Sequence, residues 1–218
     1  MAKSHNISKL LLGFVKITGI IPALIFFKPK VYTVNKNCKR NLKSSVILMS
    51  NHTSLMDFVL YLVVFPFRTI QFLMAEVLFN KGKLFSWFLY KIGGIFVDRD
   101  ACNFSFVEDS DKAIRKKNIV GIFPQGRLPI DGCAFPFKPG IVLVALQTGA
   151  PIIPLYTDGN YGITKRAHIM IGEEINLCDY TTISAPDQKE LERLTSILEE
   201  KTYALKSELE KRINSKNG

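Results

Sequence analysis

Residues 45–65 read SVILMSNHTSLMDFVLYLVVF. The first six, SVILMS, are short, apolar and rich in branched side chains, the pattern of a strand buried in a parallel sheet. The last eleven, LMDFVLYLVVF, stay apolar over a helical length, and Pro66 ends them. Between them lies the polar loop Asn51-His52-Thr53-Ser54. Ser54 is the predicted N-cap of a helix running from Leu55 towards Phe65. A strand that feeds a polar loop into a helix is the repeating unit of α/β proteins, and open α/β sheets place their sites in such loops.

The alternation continues outward. IQFLMA (70–75) predicts a strand, and 76–91 a helix with Phe79, Trp87, Phe88 and Tyr90 as aromatic bulk. GGIFVDRD (93–100) predicts a glycine turn and a short strand, and 104–117 an amphipathic helix. NIVGIFPQG (118–126) gives a strand and then a loop. KPGIVLVALQTG (138–149) suits a helix started near Pro139-Gly140; PIIPLY (151–156) and KRAHIMIGEEI (165–175) suit strands. Residues 187–212 form a polar helix with Leu191, Leu194, Leu198, Leu205 and Leu209 on its apolar face. The expected fold class is α/β, a mostly parallel central sheet flanked by helices, with residues 31–218 as a single domain.

Residues 1–30 differ in kind and are expected to form a membrane-associating helical segment. The stretch 8–27, SKLLLGFVKITGIIPALIFF, holds eleven uncharged residues from Ile17 to Phe27. A spanning helix needs about 20 predominantly apolar residues. Here Lys9 and Lys16 interrupt, and Pro22 would kink or break the helix. One or two helices lying in one leaflet are expected, with lysines at the headgroups; a single span is the alternative.

The net charge is +10, and residues 1–43 contain nine Lys or Arg and no acidic residue. Basic and apolar residues together favour an anionic membrane surface over nucleic acid as partner, with a solvated basic face as the alternative. The expected location is peripheral or monotopic on the cytoplasmic face of the cell membrane. Cys38, Cys102, Cys133 and Cys178 show no paired spacing, so no metal site is expected, and they read as small buried hydrophobes.

His52 is the natural proton acceptor near neutral pH, and Asp57 is a carboxylate able to orient it. Residues five apart on an ideal helix point about 140° apart. The pair can meet only if His52 lies in the turn before the helix. On spacing alone the pair is weak evidence, and a structural or chance His and Asp is the stronger reading.

Further stretches tip the balance. Asn51 to Asp57 resembles the N-H-x-S-x-x-x-D or H-x-x-x-x-D motif of the glycerolipid acyltransferase family, whose best-known members are lysophosphatidic acid acyltransferases. Gly93 to Arg99 (GGIFVDR) resembles its G-x-I-F-I-D-R motif, Phe123 to Arg127 (FPQGR) its F-P-E-G-T-R motif, and Ala150 to Pro154 (APIIP) its V-P-I-V-P motif. FPFKPG (135–140) resembles the run before the family's next helix. The likeness covers roughly residues 45–175, with the motifs in order.

The resemblance implies an O-acyltransferase that moves a fatty acyl group from an acyl thioester to a lysophospholipid hydroxyl. The acceptor would be 1-acylglycerol-3-phosphate and the product phosphatidic acid. Acyl-coenzyme A or acyl carrier protein would be co-substrate, with no cofactor and no metal. His52 would be the general base and Asp57 its partner; Arg99 would bind phosphate, Gln125 a glycerol hydroxyl, and Gly126 would let the backbone approach the acceptor. The chain departs from the third motif: Gln125 replaces Glu, Arg127 follows Gly126 directly, and Leu128 takes the place of the usual Arg. Arg127 would then reach the phosphate from the neighbouring position. The alternatives are another acceptor, such as lyso-ornithine lipid, or a degenerate member that only binds membranes.

Overall fold

The structure, a computed structural model, describes residues 7–36, 38, 42–98, 104–162, 164–183 and 186–215. The strands are β1 (Lys30–Thr33), β2 (Ile47–Ser50), β3 (Ile70–Ala75), β4 (Ile95–Val97), β5 (Ile119–Ile122), β6 (Ile152–Thr157) and β7 (His168–Ile171). The helices are α1 (Lys9–Phe27), α2 (Asp57–Val64), α3 (Glu76–Phe79), α4 (Lys83–Ile92), α5 (Ser105–Arg115), α6 (Gly140–Thr148) and α7 (Gln188–Asn214).

They build one seven-stranded sheet in the order β1-β7-β6-β2-β5-β3-β4. Every strand pair is parallel except β6–β7. The expected mostly parallel α/β fold is therefore the observed one. Because β6, β2 and β5 are parallel neighbours, their carboxyl ends lie together, and so do the loops that leave them.

Period-two geometry sends successive strand residues to opposite faces, so an all-apolar strand feeds two cores. In β2, Leu48 joins the core under α1, α2 and α4, whereas Ile47 and Met49 join the core under α5, α6 and α7. The C-terminal helix buries Leu194, Leu198, Leu205 and Leu209 as read from the sequence, while Leu191 is half-buried.

Several local expectations are corrected. The second helix begins at Asp57, not Leu55, and Ser54 is not its N-cap. Instead the Ser54 carbonyl accepts the Asp57 amide (3.1 Å) and the Ser54 hydroxyl accepts the Met56 amide (3.1 Å), forming a turn before the helix. The helix predicted over 76–91 is two helices, divided where Gly82 takes φ +124°, a conformation that favours glycine. Strand β1 fell within a stretch given no element. Cys133 and Cys178 are exposed, not buried; Cys102 lies outside the described residues.

The N-terminal segment holds one helix among the described residues. Pro22 sits within α1 without ending it. The helix is long and apolar enough, by length and composition, to cross a membrane. It nevertheless lies against the domain: Leu12, Ala23 and Phe27 are buried, and the Lys16 ammonium donates to the carbonyls of Pro66 (3.0 Å) and Arg68.

Gly121 in β5 shows how tightly the sheet face is packed near the loops. A Cβ there would lie 2.4 Å from two ring atoms of Phe72, which stacks on Phe123 (5.7 Å between centroids). Gly121→Ala is expected to destabilise the protein by about 1–3 kcal/mol through overpacking. A thermal melt should show a Tm lower by about 3–10 °C.

Candidate active site

The loops leaving β2 and β6 converge on Asp57, and the loop leaving β5 meets His52. The Asp57 carboxylate is fully buried (0% exposed). One oxygen, Oδ2, accepts from His52 Nδ1 (2.7 Å), the Thr53 amide (2.6 Å) and the Ser54 amide (3.0 Å). The other, Oδ1, accepts from the Thr53 hydroxyl (2.8 Å) and the Tyr161 hydroxyl. His52 thus lies in the turn before α2 and Asp57 is the first residue of the helix, the arrangement their spacing demands. Burial alone would push the Asp57 carboxyl up. The bonds from His52, Ser54, Tyr161 and Thr53 outweigh that and hold it below the ordinary carboxylate range. An ionised Asp57 on Nδ1 fixes the imidazole tautomer and leaves Nε2 as the basic nitrogen.

The His52 ring is held at Nδ1 by Asp57 and on one face by Phe123, and its main chain by Gln125. It stacks on Phe123 with centroids 4.3 Å apart, and Phe123 stacks in turn on Phe72. The His52 amide donates to Gln125 Oε1 (2.9 Å), while Gln125 Nε2 donates to the Tyr203 hydroxyl (3.3 Å) on α7. Gln125 is 2% exposed, so both ends of its amide are occupied inside the protein. A neutral side chain suits that place, because a buried carboxylate would need compensation. Gln125 therefore braces the His52 loop and is not among the residues lining the cavity, which differs from the acceptor role the resemblance implied. Asn51 splices two strands: its side chain accepts the Thr157 amide (2.8 Å) and donates to the Thr157 carbonyl (2.9 Å).

Tyr161 was not visible as a site residue from the sequence. It follows β6 in the loop 158–162, which a second His–Asp pair anchors: His168 Nδ1 to Asp158 Oδ2, 2.6 Å. Gly159, at φ +69°, packs where a Cβ would meet the Thr53 side chain at 2.8 Å. The Tyr161 ring also packs edge-on against Phe27, the last residue of α1 (5.2 Å). Burial and the Asp57 charge push the Tyr161 hydroxyl far above its ordinary range, so it remains a donor. Tyr161→Phe removes one of the donors that hold the Asp57 carboxyl low, so the Asp57 titration is expected to move up towards its ordinary range and the acid fall of Tm with it to higher pH, as melts across the acid range would show.

His52 opens on a cavity of about 870 Å³, large among ligand sites. Its walls are overwhelmingly apolar and come from α1 (Val15, Ile20), α2 (Val59, Leu62) and α4 (Phe85, Phe88). Gly126, Arg127 and Lys138 line the same cavity. Gly126 adopts φ +69°, and a Cβ there would touch the Lys138 arm at 3.5–3.6 Å. The Arg127 guanidinium lies 4.7 Å from the Phe135 ring centroid. Arg99 lies outside the described residues; Asp98 before it lines the cavity.

A buried carboxylate holding an imidazole that lines an apolar cavity is an arrangement able to serve as a general base. The chain belongs to the acyltransferase family, whose model, described as Acyltransferase, matches residues 30–158. It is 30% identical over 125 residues to a 1-acyl-sn-glycerol-3-phosphate acyltransferase of Borreliella burgdorferi, covering 56% of this chain and 49% of that one. It is 26% identical over 180 residues to the Bacillus subtilis protein of the same name, covering 79% and 87%. The chain thus spans about half the length of the Borreliella relative. The crystal structure of the 1-acyl-sn-glycerophosphate acyltransferase PlsC from Thermotoga maritima superposes with a TM-score of 0.59 at 18% identity, over 90% of this chain and 77% of that one. That likeness concerns the fold.

Proposed function

We propose that this protein acylates the free hydroxyl of 1-acylglycerol-3-phosphate, giving phosphatidic acid, with acyl-coenzyme A or acyl carrier protein as donor. The observation that carries the reading is the His52–Asp57 pair beside a large apolar cavity that Arg127 and Lys138 also line. His52 Nε2 takes the hydroxyl proton as that oxygen attacks the thioester carbonyl. The imidazolium, stabilised by Asp57, then returns the proton to the leaving thiolate. Because the acceptor oxygen attacks directly, no acyl-enzyme is required.

Arg127 and Lys138 flank the close approach at Gly126 and are the described cations suited to the acceptor phosphate; a guanidinium binds phosphate oxygens in pairs. Arg99, next to Asp98 in sequence, is the further candidate ligand. Gln125 contributes by fixing the His52 backbone. The protein acts as a monotopic enzyme at the cytoplasmic membrane face, with α1 lying along an anionic surface. The Lys16 bonds to Pro66 and Arg68 support this, since they tie the middle of the helix to the domain.

The test is product identification by mass, using purified protein, both donor types and a panel of lysolipids. The expected product is phosphatidic acid from the phosphate acceptor. Arg127→Ala should raise KM for that acceptor about tenfold, as expected for a lost hydrogen bond to a charged group, with kcat little changed. Product from another lysolipid but none from 1-acylglycerol-3-phosphate would replace this reading.

A further inference from the structure

We propose that the outward face of α4, carried by Leu84 and Trp87, is a second seat in the lipid bilayer beside α1, so that the cavity mouth opens onto the acyl region of the membrane. The inference rests on the membrane reading above and extends it to an element in the middle of the chain.

Helix α4 is apolar on two faces. Leu89 and Ile92 are buried, and together with Phe88 and the 41% exposed Phe85 they line the cavity. Leu84 and Trp87, three residues apart and so on one side of the helix, are 79% and 50% exposed. Lys83, Ser86 and Lys91 also lie on α4, but among the described residues Leu84 and Trp87 are left uncovered, and exposed apolar side chains that join a larger patch mark an interaction site. The patch continues in both directions. Along α1, Leu10, Phe14, Ile17 and Ile21 are exposed, and the two helices meet where the Ser8 amide donates to the Lys91 carbonyl (3.1 Å). Towards the cavity, Leu55, Met56, Val77 and Phe104 are exposed and also line it, which makes the rim itself apolar. Phe67, 95% exposed, projects from the loop that Lys16 grips.

The occupant that fits is an anionic bilayer. Lys81 and Lys83 at the start of α4 match acidic headgroups, and a Trp beside them has the amphipathic ring favoured at headgroup level. The substrate argues the same way. Each CH₂ of a lysolipid chain drawn through water costs about 0.8 kcal/mol, a penalty avoided when the rim touches lipid. A protein seated on α4 would instead cover the entrance.

Trp87 is the sole tryptophan, so its emission reports on this face alone. The full chain is mixed with vesicles of phosphatidylcholine containing a minority of phosphatidylglycerol, with and without bromine on the acyl chains. Sedimentation with the vesicles, a shift of emission to shorter wavelength, and loss of about half the intensity to brominated chains are expected for a ring at headgroup depth. Leu84→Ser should weaken partitioning several-fold, with an unchanged melt because the side chain is exposed. Sedimentation without quenching would overturn the α4 seat and leave the membrane reading standing. Failure to sediment would overturn both. An emission shift that follows protein concentration without lipid would assign the face to a second copy and overturn the proposal.

Discussion

Replacing His52 with alanine is expected to lower kcat for acyl transfer by about 10²–10⁴-fold, the usual contribution of a positioned general base. The acceptor hydroxyl is not acidic enough to attack a thioester unaided near neutral pH. In the site described above, Nδ1 is engaged by Asp57 at 2.7 Å, and Nε2 is the nitrogen left to take the proton. The substitution should leave the fold intact. Asp57 keeps its four other donors from Thr53, Ser54 and Tyr161, and the ring of His52 forms part of the cavity wall. KM for both substrates should change little, while the melt should shift down by a few degrees, because the stacking on Phe123 and one of the bonds to the buried Asp57 are lost. Steady-state kinetics and a melt measured together decide the matter; undiminished turnover in the alanine variant would remove His52 from the chemistry.

Asp57→Asn is expected to be nearly as severe for activity and far more severe for stability. In catalytic His–Asp pairs this change costs about 10⁴-fold, because the imidazole loses its tautomer and its counter-charge. Here five donors converge on one buried carboxylate. An amide offers one acceptor oxygen and turns N–H groups towards donors. Leaving buried donors unmatched costs about 1–3 kcal/mol each, so a loss of about 2–4 kcal/mol is expected.

The pH dependence has a definite sign. The Asp57 carboxyl is held below the ordinary carboxylate range. Its stabilisation is present above that range and is lost as pH falls through the folded-state titration. The Tm values of parent and Asp57→Asn should therefore be furthest apart near neutrality and converge on acidification. A gap that stays constant through the acid range would show that the charge of Asp57 is not what stabilises the loop.

Much of this was legible in the residues of one strand and its loop. SVILMS has the pattern of a buried parallel strand, and a polar loop after such a strand emerges at the carboxyl edge of a sheet. The His52–Asp57 pairing followed once the helix was seen to begin after His52. What remained hidden was long-range. Tyr161 is 104 residues from Asp57, and Tyr203 is 78 from Gln125; neither follows a periodicity or a local spacing. Tyr161 becomes findable only when β6 is known to adjoin β2. The bracing of Gln125 was hidden for the same reason, since its partner on α7 is distant in sequence. The division of α3 from α4 was within reach, because Asn80-Lys81-Gly82 is a turn signal inside an otherwise helical pattern.

The cavity has walls of two origins. At one side stand loops that leave three neighbouring strands paired to one another. The other sides are faces of α1, α2 and α4, which pack on the sheet through side chains. The fold therefore separates a fixed workbench from adjustable jaws: bulk can be traded along the helices to suit a longer or shorter hydrocarbon, while the imidazole keeps its place.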